Sequence, residues 1–476
     1  MAIAEYDRYD ALGLAQLVKQ GDVTPVELTE EAIARIERHN PKINAVIFKA
    51  YDEARATAKS KLPGGPFRGV PFVIKDIGVS VAGWPTTSGS AFTRDFVPKA
   101  DSELIKRYRA AGLVFVGKTN TPELGITGTT ESRHLGPCRN PWNTDHISGG
   151  SSGGTAAAVA AGILPMAHGS DGLGSIRIPA ACCGLFGMKV TQYRNPGGPD
   201  DRNRAHGLVV DHVLTRTVRD SAAMLDWTGR PEDDAPYAPP PKARPYMEEI
   251  ETKPGKLRIA CSTQTPLGIA PHEDVRKVFE ETVKLLESLG HEVFAHDLSI
   301  DYRKLYRAQG WLSAAMMAAS IDYASETLGR KPKDDELEPL TWAGYHAGRA
   351  LTGEQVGWAL QTLRIMTREI LGHWRKFDAM LMPVTIAPPP RIGHIDPVNL
   401  EPKEVNRRQA RVFGYTPPFN LTGQPSMSVP LGMSSDQLPI GMMFTGRYGD
   451  EGTLYRLAAQ LEQARPWIGR RPPVWG

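Results

Sequence analysis

Cysteine is scarce. The 476 residues hold four, Cys138, Cys182, Cys183 and Cys261, two of them adjacent and none in a C-x-x-C pair. That pattern excludes a zinc framework and a secreted disulfide framework. An excess of one charge is also missing, since 56 Lys and Arg against 53 Asp and Glu leave a formal charge of +3. So close a balance, with no block of like charges, argues against nucleic acid or an anionic membrane as partner. The longest small-apolar stretch, Thr155 to Ala167, is broken by Gly162 and Pro165 and is too short to span a bilayer. The opening stretch MAIAEYDRYDALGL carries acidic residues where a signal peptide needs basic and then apolar ones. The expectation is a cytoplasmic protein, monomer or homodimer, with neither nucleic acid nor membrane as partner.

What is present is an ordinary globular composition, 41% hydrophobic and 23% charged, enough for a sizeable core. The first sixty residues read as helices. Thr24, Pro25 and Glu27 form a capping-box start, with Leu28, Ile33 and Ile36 following at helical spacing. Strand, helix and strand then follow at 69–74, 102–111 and 113–116, and again at 257–261, 273–289 and 292–295. Further strands are expected at 379–382, 427–429 and 440–444, with a last helix near 451–462. This alternation predicts an α/β protein with a large mixed β-sheet flanked by helices. The Pro-rich segment 230–255 reads as a surface linker and 386–397 as a loop. We expect a single domain over 1–476: N-terminal helices (1–60), a core (65–230), a largely helical insert or lid (256–380) and a C-terminal part completing the sheet (381–476).

The chemistry should lie between Gly69 and Gly187, where SGGSSGGTAAAVAAG (148–162) and GSDGLGSIRIPAACCG (169–184) stand out. Glycine at this density lets backbone approach a ligand closely. Two motif matches fail on physical grounds. Gly112–Thr119 (GLVFVGKT) fits a phosphate-loop expression, but its spacer is itself an apolar strand and no helix follows. Gly150–Gly154 (GSSGG) fits a nucleophile elbow with Ser152, but polar, loop-like sequence precedes it where a strand is needed. None of the twelve histidines pairs readably with a serine motif, so nothing points to a Ser–His–Asp triad.

In Gly69-Val-Pro-Phe-Val-Ile-Lys75-Asp76, Gly117-Lys-Thr-Asn-Thr-Pro-Glu123, Thr129-Thr-Glu131, Asn140-Pro-Trp-Asn143, Gly149–Gly154 and Asp171–Gly187, the chain resembles the amidase signature family. Weaker likeness reaches Pro418-Phe-Asn420 and Gly423-Gln-Pro425. The resemblance implies that family's fold and a Ser–cis-Ser–Lys triad: Lys75 as base, Ser151 as relay and Ser175 as nucleophile, the serines 24 residues apart. It implies a hydrolase cleaving a C–N acyl bond of a small-molecule amide, anilide or carbamate, with no cofactor and no metal. Ile178, where a glutamine amidotransferase subunit usually has Gln, favours a stand-alone amidase over a partner-dependent subunit. An esterase on the same scaffold is the other alternative.

The chemistry supports this assignment independently. A serine hydroxyl attacks poorly until a base takes its proton, and lysine can be that base where burial disfavours its charged form. Lys75 follows an apolar strand; Asp76, the next residue along, points to the other face. Gly149 and Gly150 flank the relay, and the turn Gly172-Leu173-Gly174 offers backbone N–H donors to an oxyanion. Most family members have glycine where Leu173 stands; if its side chain points into the pocket it narrows or greases the acyl site, and a positive φ there would strain it. Asp171 and Arg177 are expected to brace the turn as an ion pair and Ser152 to bond within it. Ile126 is placed at the pocket or in the core. Cys182, Cys183, Trp311, Trp342 and Trp358 are expected in packing.

Overall fold

The computed structural model describes residues 6–199, 207–230 and 232–476. Met1–Glu5 of the acidic opening stretch and residue 231 of the linker lie outside that range. Fifteen strands and fifteen α-helices are described. A three-stranded sheet comprises β1 (Val46–Lys49), β2 (Pro71–Lys75) and β3 (Val114–Thr119), in the order β1-β3-β2. Two short ribbons follow, β4 (Glu131–Ser132) with β5 (Gly136–Pro137) and β6 (Arg139–Asn140) with β7 (Asn143–Ile147).

The large sheet contains β8 (Met166–Asp171), β9 (Phe186–Lys189), β10 (Val210–Thr215), β11 (Arg258–Cys261), β12 (Glu292–Ala295), β13 (Ala379–Pro383), β14 (Ser426–Met433) and β15 (Pro439–Thr445). Its order is β12-β11-β13-β15-β14-β9-β10-β8. The pairs β11/β12 and β11/β13 are parallel and the rest antiparallel, so the sheet is mixed, as the alternation of elements predicts. The edge strand β2 of the small sheet lies alongside the edge strand β8 of the large one without being paired to it. That seam is where the site forms.

Helices cover both sheets. The N-terminal ones are α1 (Ala11–Gln20), α2 (Pro25–Ile43), α3 (Tyr51–Lys59) and α4 (Glu103–Ala110). The expected capping box is present: Thr24 Oγ accepts from the Glu27 N–H and the Glu27 carboxylate from the Thr24 N–H. The all-helical reading of the first sixty residues omits β1, which pairs with β3. Four residues with only Val46 fully buried give too short a pattern to read.

Next come α5 (Gly153–Ala160), α6 (Arg177–Cys183), α7 (Val218–Thr228) and α8 (Tyr246–Glu251). Helix α8 corrects the reading of 230–255 as linker throughout; Tyr246 and Glu249 bury against α15 and α7. After α9 (Glu273–Ser288), three long helices, α10 (Tyr302–Leu328), α11 (Pro339–Arg349) and α12 (Gly353–His373), pack on one another. The segment 256–380 is thus largely helical, yet its β11 and β12 belong to the main sheet. The chain closes with α13 (Pro402–Val412), α14 (Pro417–Leu421) and α15 (Glu451–Ala464).

Helix α5 is apolar all round, and each of its residues is buried. Gly154 lets it lie that deep: a Cβ there would come 2.4 Å from the Asn120 backbone nitrogen and 2.6 Å from the Ala45 carbonyl oxygen. We expect Gly154→Ala to lose at least about 1–3 kcal/mol to overpacking. Gly357→Ala, mid-α12 with nothing within 4 Å of its Cβ, should gain about 0.5–1 kcal/mol from helix propensity. Urea unfolding of the two variants checks both signs.

Candidate active site

The strand β2 is buried along its whole length and ends on Lys75. The Lys75 amine lies 2.7 Å from Ser151 Oγ and 2.9 Å from Ser170 Oγ. Neither contact is charged. Desolvation lowers the amine to about 7, and the more distant carboxylates of Asp211 and Asp171 oppose that only in part. Asp76 does not touch this amine: it faces Lys118, whose Nζ is 2.6 Å from its Oδ1. Three lysines are fully buried. Lys118 is paired with that carboxylate and donates to the Pro85 carbonyl, which disposes of the phosphate-loop match. Lys189 donates to the Val190 carbonyl. Lys75 alone of the three meets serine hydroxyls.

Ser151 is 3% exposed, and the Gly150–Ser151 peptide is cis. The surrounding motif threonines hold this loop by its carbonyls. Thr130 Oγ1 donates to the Gly149 carbonyl at 2.9 Å, and Thr121 Oγ1 to the Ser151 carbonyl at 3.0 Å. A Cβ on Gly150 would sit 2.7–2.8 Å from the backbone of 127–129, so only glycine fits beside Ser151. Gly125 faces Ser151: a Cβ there would lie 3.2 Å from its Oγ. The adjoining Ile126 is half-buried, packed against the main core and next to this contact. Ser152 Oγ donates to the Ser170 carbonyl at 3.1 Å, and the Ser152 N–H to the Ser175 carbonyl at 3.3 Å. That backbone bond places half-buried Ser175 next to the Ser151–Ser152 loop, while its hydroxyl makes no hydrogen bond to Ser151 or Lys75 among the described residues. The short strand β7 does precede Gly150–Gly154, a correction to the loop expected there, but it pairs with β6 and bridges to Arg391, outside the large sheet, and feeds no elbow.

The turn carrying Ser175 is organised by Asp171. Its carboxylate accepts from the N–H groups of Gly174 (2.7 Å) and Ile176 (3.2 Å), and from Arg177 Nε (2.9 Å) and Nη2 (3.0 Å). Asn420 Nδ2 adds a bond at 2.9 Å, and Arg177 Nη1 donates to the Thr416 carbonyl at 3.1 Å. The Arg177 guanidinium holds the buried Asp171 carboxyl well below the usual carboxylate range, against its desolvation. The expected ion pair is therefore present and bidentate. Gly174 spends its N–H on Asp171, so it is not an oxyanion donor as the sequence suggested. The N–H groups of Leu173 and Ser175 donate to nothing among the described residues. Leu173 is not among the residues of positive φ, so leucine is unstrained there, and its carbonyl accepts from Thr416 Oγ1 at 2.5 Å. Gly172 lies beside Val209.

A match to the amidase family model spans residues 27–455. The chain is 36% identical over 479 residues to a 6-aminohexanoate-cyclic-dimer hydrolase of Paenarthrobacter ureafaciens, covering 98% of this chain and 96% of that protein. A solved structure of 6-aminohexanoate cyclic dimer hydrolase superposes with a TM-score of 0.92 at 35% identity, covering 98% and 99%. A bacterial aryl acylamidase of the amidase signature family superposes at 0.88 with 27% identity, covering 97% and 99%. The chain belongs to the amidase signature family. It is a hydrolase acting on C–N amide bonds.

Within this amidase, three polar neighbours of Lys75 escaped the sequence reading: Ser170, His168 and Asp211. No local pattern marked them, because β8 becomes a strand only through its pairing with β10. His168 and Ser170 are two apart on β8 and so share a face, and Asp211 lies directly across from Ser170 on β10. A serine–histidine contact elsewhere, Ser221 Oγ to His212 Nε2 at 2.9 Å, is buried beside Tyr455. Trp311 and Trp358 pack edge to face at 5.1 Å between α10 and α12, while Trp342 stacks on His346. Cys182 and Cys183 are core, burial pushing the Cys182 thiol up to about 12. A surface cavity of about 920 Å³ lined by Leu12, Trp227 and Met247 shares no residue with this site.

Arg177→Met strands the Asp171 carboxylate and should cost about 3–5 kcal/mol in thermal or urea unfolding. In the unaltered amidase, Asp171 has its pKa depressed by folding. Its contribution is therefore complete above the unfolded value of about 4 and is lost as pH falls below it. The penalty of Arg177→Met should shrink with acid accordingly.

Proposed function

We propose that this amidase works through an acyl-enzyme on Ser175, with Ser151 relaying protons to Lys75. The observation that carries the reading is the uncharged contact of a fully buried lysine, lowered to about 7, with the Ser151 hydroxyl at 2.7 Å. In this mechanism the neutral Lys75 amine accepts the Ser151 proton as Ser151 takes the proton of Ser175. The Ser175 oxygen attacks the carbonyl carbon, and the oxyanion is received by the N–H groups of Leu173 and Ser175. Lys75 then returns the proton through Ser151 to the leaving nitrogen, without which an amine leaves poorly. Water repeats the sequence on the acyl ester. Ser170 Oγ, 2.9 Å from the amine, keeps Nζ aimed while the proton travels.

The substrates we assign are small apolar amides, anilides among them, which accords with the likeness to a cyclic-dimer hydrolase and an aryl acylamidase. A carbamate carbonyl presents the same carbon to Ser175 and belongs to the same proposal. Ile178, buried in the core, stands where an amidotransferase subunit usually carries Gln, which supports a stand-alone enzyme.

Hydrolysis of matched 4-nitroanilide, aryl carbamate and 4-nitrophenyl ester substrates tests this, with Ser175→Ala as the blank. Serine-dependent release from the anilide or carbamate is expected; release from esters alone makes it an esterase, and none at all points to a partner-dependent subunit. Lys75→Ala and Ser151→Ala should each lower kcat by about a thousandfold or more with folding intact. The base is active only when neutral, so kcat/KM should climb as pH rises through about 7. A profile falling across that range refutes lysine as the base.

A further inference from the structure

We propose that His168 and Asp211 are a positioning pair for Lys75: the histidine ties the lysine backbone across the seam between the two sheets, and Asp211 sets the charge balance around its amine. The inference rests on the reading of Lys75 as the base. Strand β2 is an edge of the small sheet and β8 an edge of the large one, and no backbone ladder joins them. The Lys75 N–H crosses that gap to His168 Nδ1 at 3.2 Å. His168 Nε2 lies 3.2 Å from Asp211 Oδ1. The ring is fully buried and Asp211 is 2% exposed.

These contacts decide the protonation of the pair. Nδ1 accepts an N–H, so it carries no proton; the proton sits on Nε2 and is donated to Asp211. A second ring proton would set N–H against N–H. In this tautomer His168 ties the Lys75 backbone to Asp211. The groups facing the Lys75 amine are Ser151, Ser170 and, at longer range, Asp171 on β8 and Asp211 on β10. Asp76 is turned to Lys118. Around His168 stand Asp211, the Tyr108 ring of α4 at 6.0 Å between centroids, and His212 on β10. Asp171 is engaged by Arg177, and Asp211 lies 3.2 Å from the histidine that holds Lys75. Burial pulls the amine down and Asp211 leads the opposing influences, so the balance places it near neutrality.

The test is the rate at which a fluorophosphonate labels Ser175 in the full chain, followed from pH 5 to 10. In that reaction Ser175 Oγ bonds to phosphorus, the P–F bond breaks, fluoride leaves, and the hydroxyl proton passes to the base. Asp211→Asn should move the midpoint to lower pH by about 1 unit, since removing an anion favours the neutral amine. His168→Ala should lower the plateau rate about tenfold by misplacing Lys75, and His168→Gln, which keeps a donor and an acceptor, should recover most of it. A merely structural role would lower the melting temperature without moving the midpoint. A midpoint that stays put or rises in folded Asp211→Asn overturns the proposal, as does an unchanged plateau in His168→Ala. If Asp211→Asn does not fold, the contrast between the two His168 variants decides. Failure of the unaltered chain to label strikes the serine–lysine reading itself, and this inference with it.

Discussion

A lysine amine buried at the seam of two sheets, with only hydroxyls in contact, is the constraint around which this site is built. Burial disfavours the ammonium form, and the structure does not relieve that by a direct carboxylate contact. Asp76, one residue away, would have provided such a contact, but the alternation of a strand turns it to Lys118. The two neighbouring lysine–carboxylate arrangements thus differ in kind. Lys118 with Asp76 is a closed ion pair; Lys75 is left with an amine that can change its charge near neutral pH.

Holding that arrangement takes most of the motif residues, and few of them need touch a substrate to matter. Thr121 and Thr130 hold the carbonyls of Ser151 and Gly149. Asn140 donates to the carbonyls of Ile147 and Cys182, linking the loop before α5 to α6. The bidentate Asp171–Arg177 pair closes the turn that carries Ser175 and is itself capped by Asn420, from the far end of the chain. Side-chain-to-backbone bonds of this sort fix loop geometry without the help of a ladder, which is why a loop-rich site can be rigid.

Much of the fold was legible where local pattern and burial agree. The expected strands at 292–295 and 379–382 match β12 and β13 to within a residue, because short apolar runs there are bounded by Gly290 and Pro383. Strand β8 was not legible: Met166-Ala-His-Gly-Ser-Asp171 has neither a β-branched run nor clean alternation, and it is a strand because β10 pairs with it. Helix α8 was hidden behind a Pro-rich stretch. In the site, Lys75, Ser151 and Ser175 were indicated by likeness to a family, and the Asp171–Arg177 pair by proximity in the chain.

The sequence by itself determined the class of fold and the family, because these rest on local order, spacing and residue type. Tertiary structure alone decided which groups surround the amine. The contacts of Lys75 with Ser151, Ser170 and His168 span separations of 76 to 95 residues, and Asp211 reaches His168 across 43. Whether a lysine is a base or half of an ion pair depends on solvent exclusion and on which charges fold brings near it, and neither is a property of the neighbouring residues in the chain.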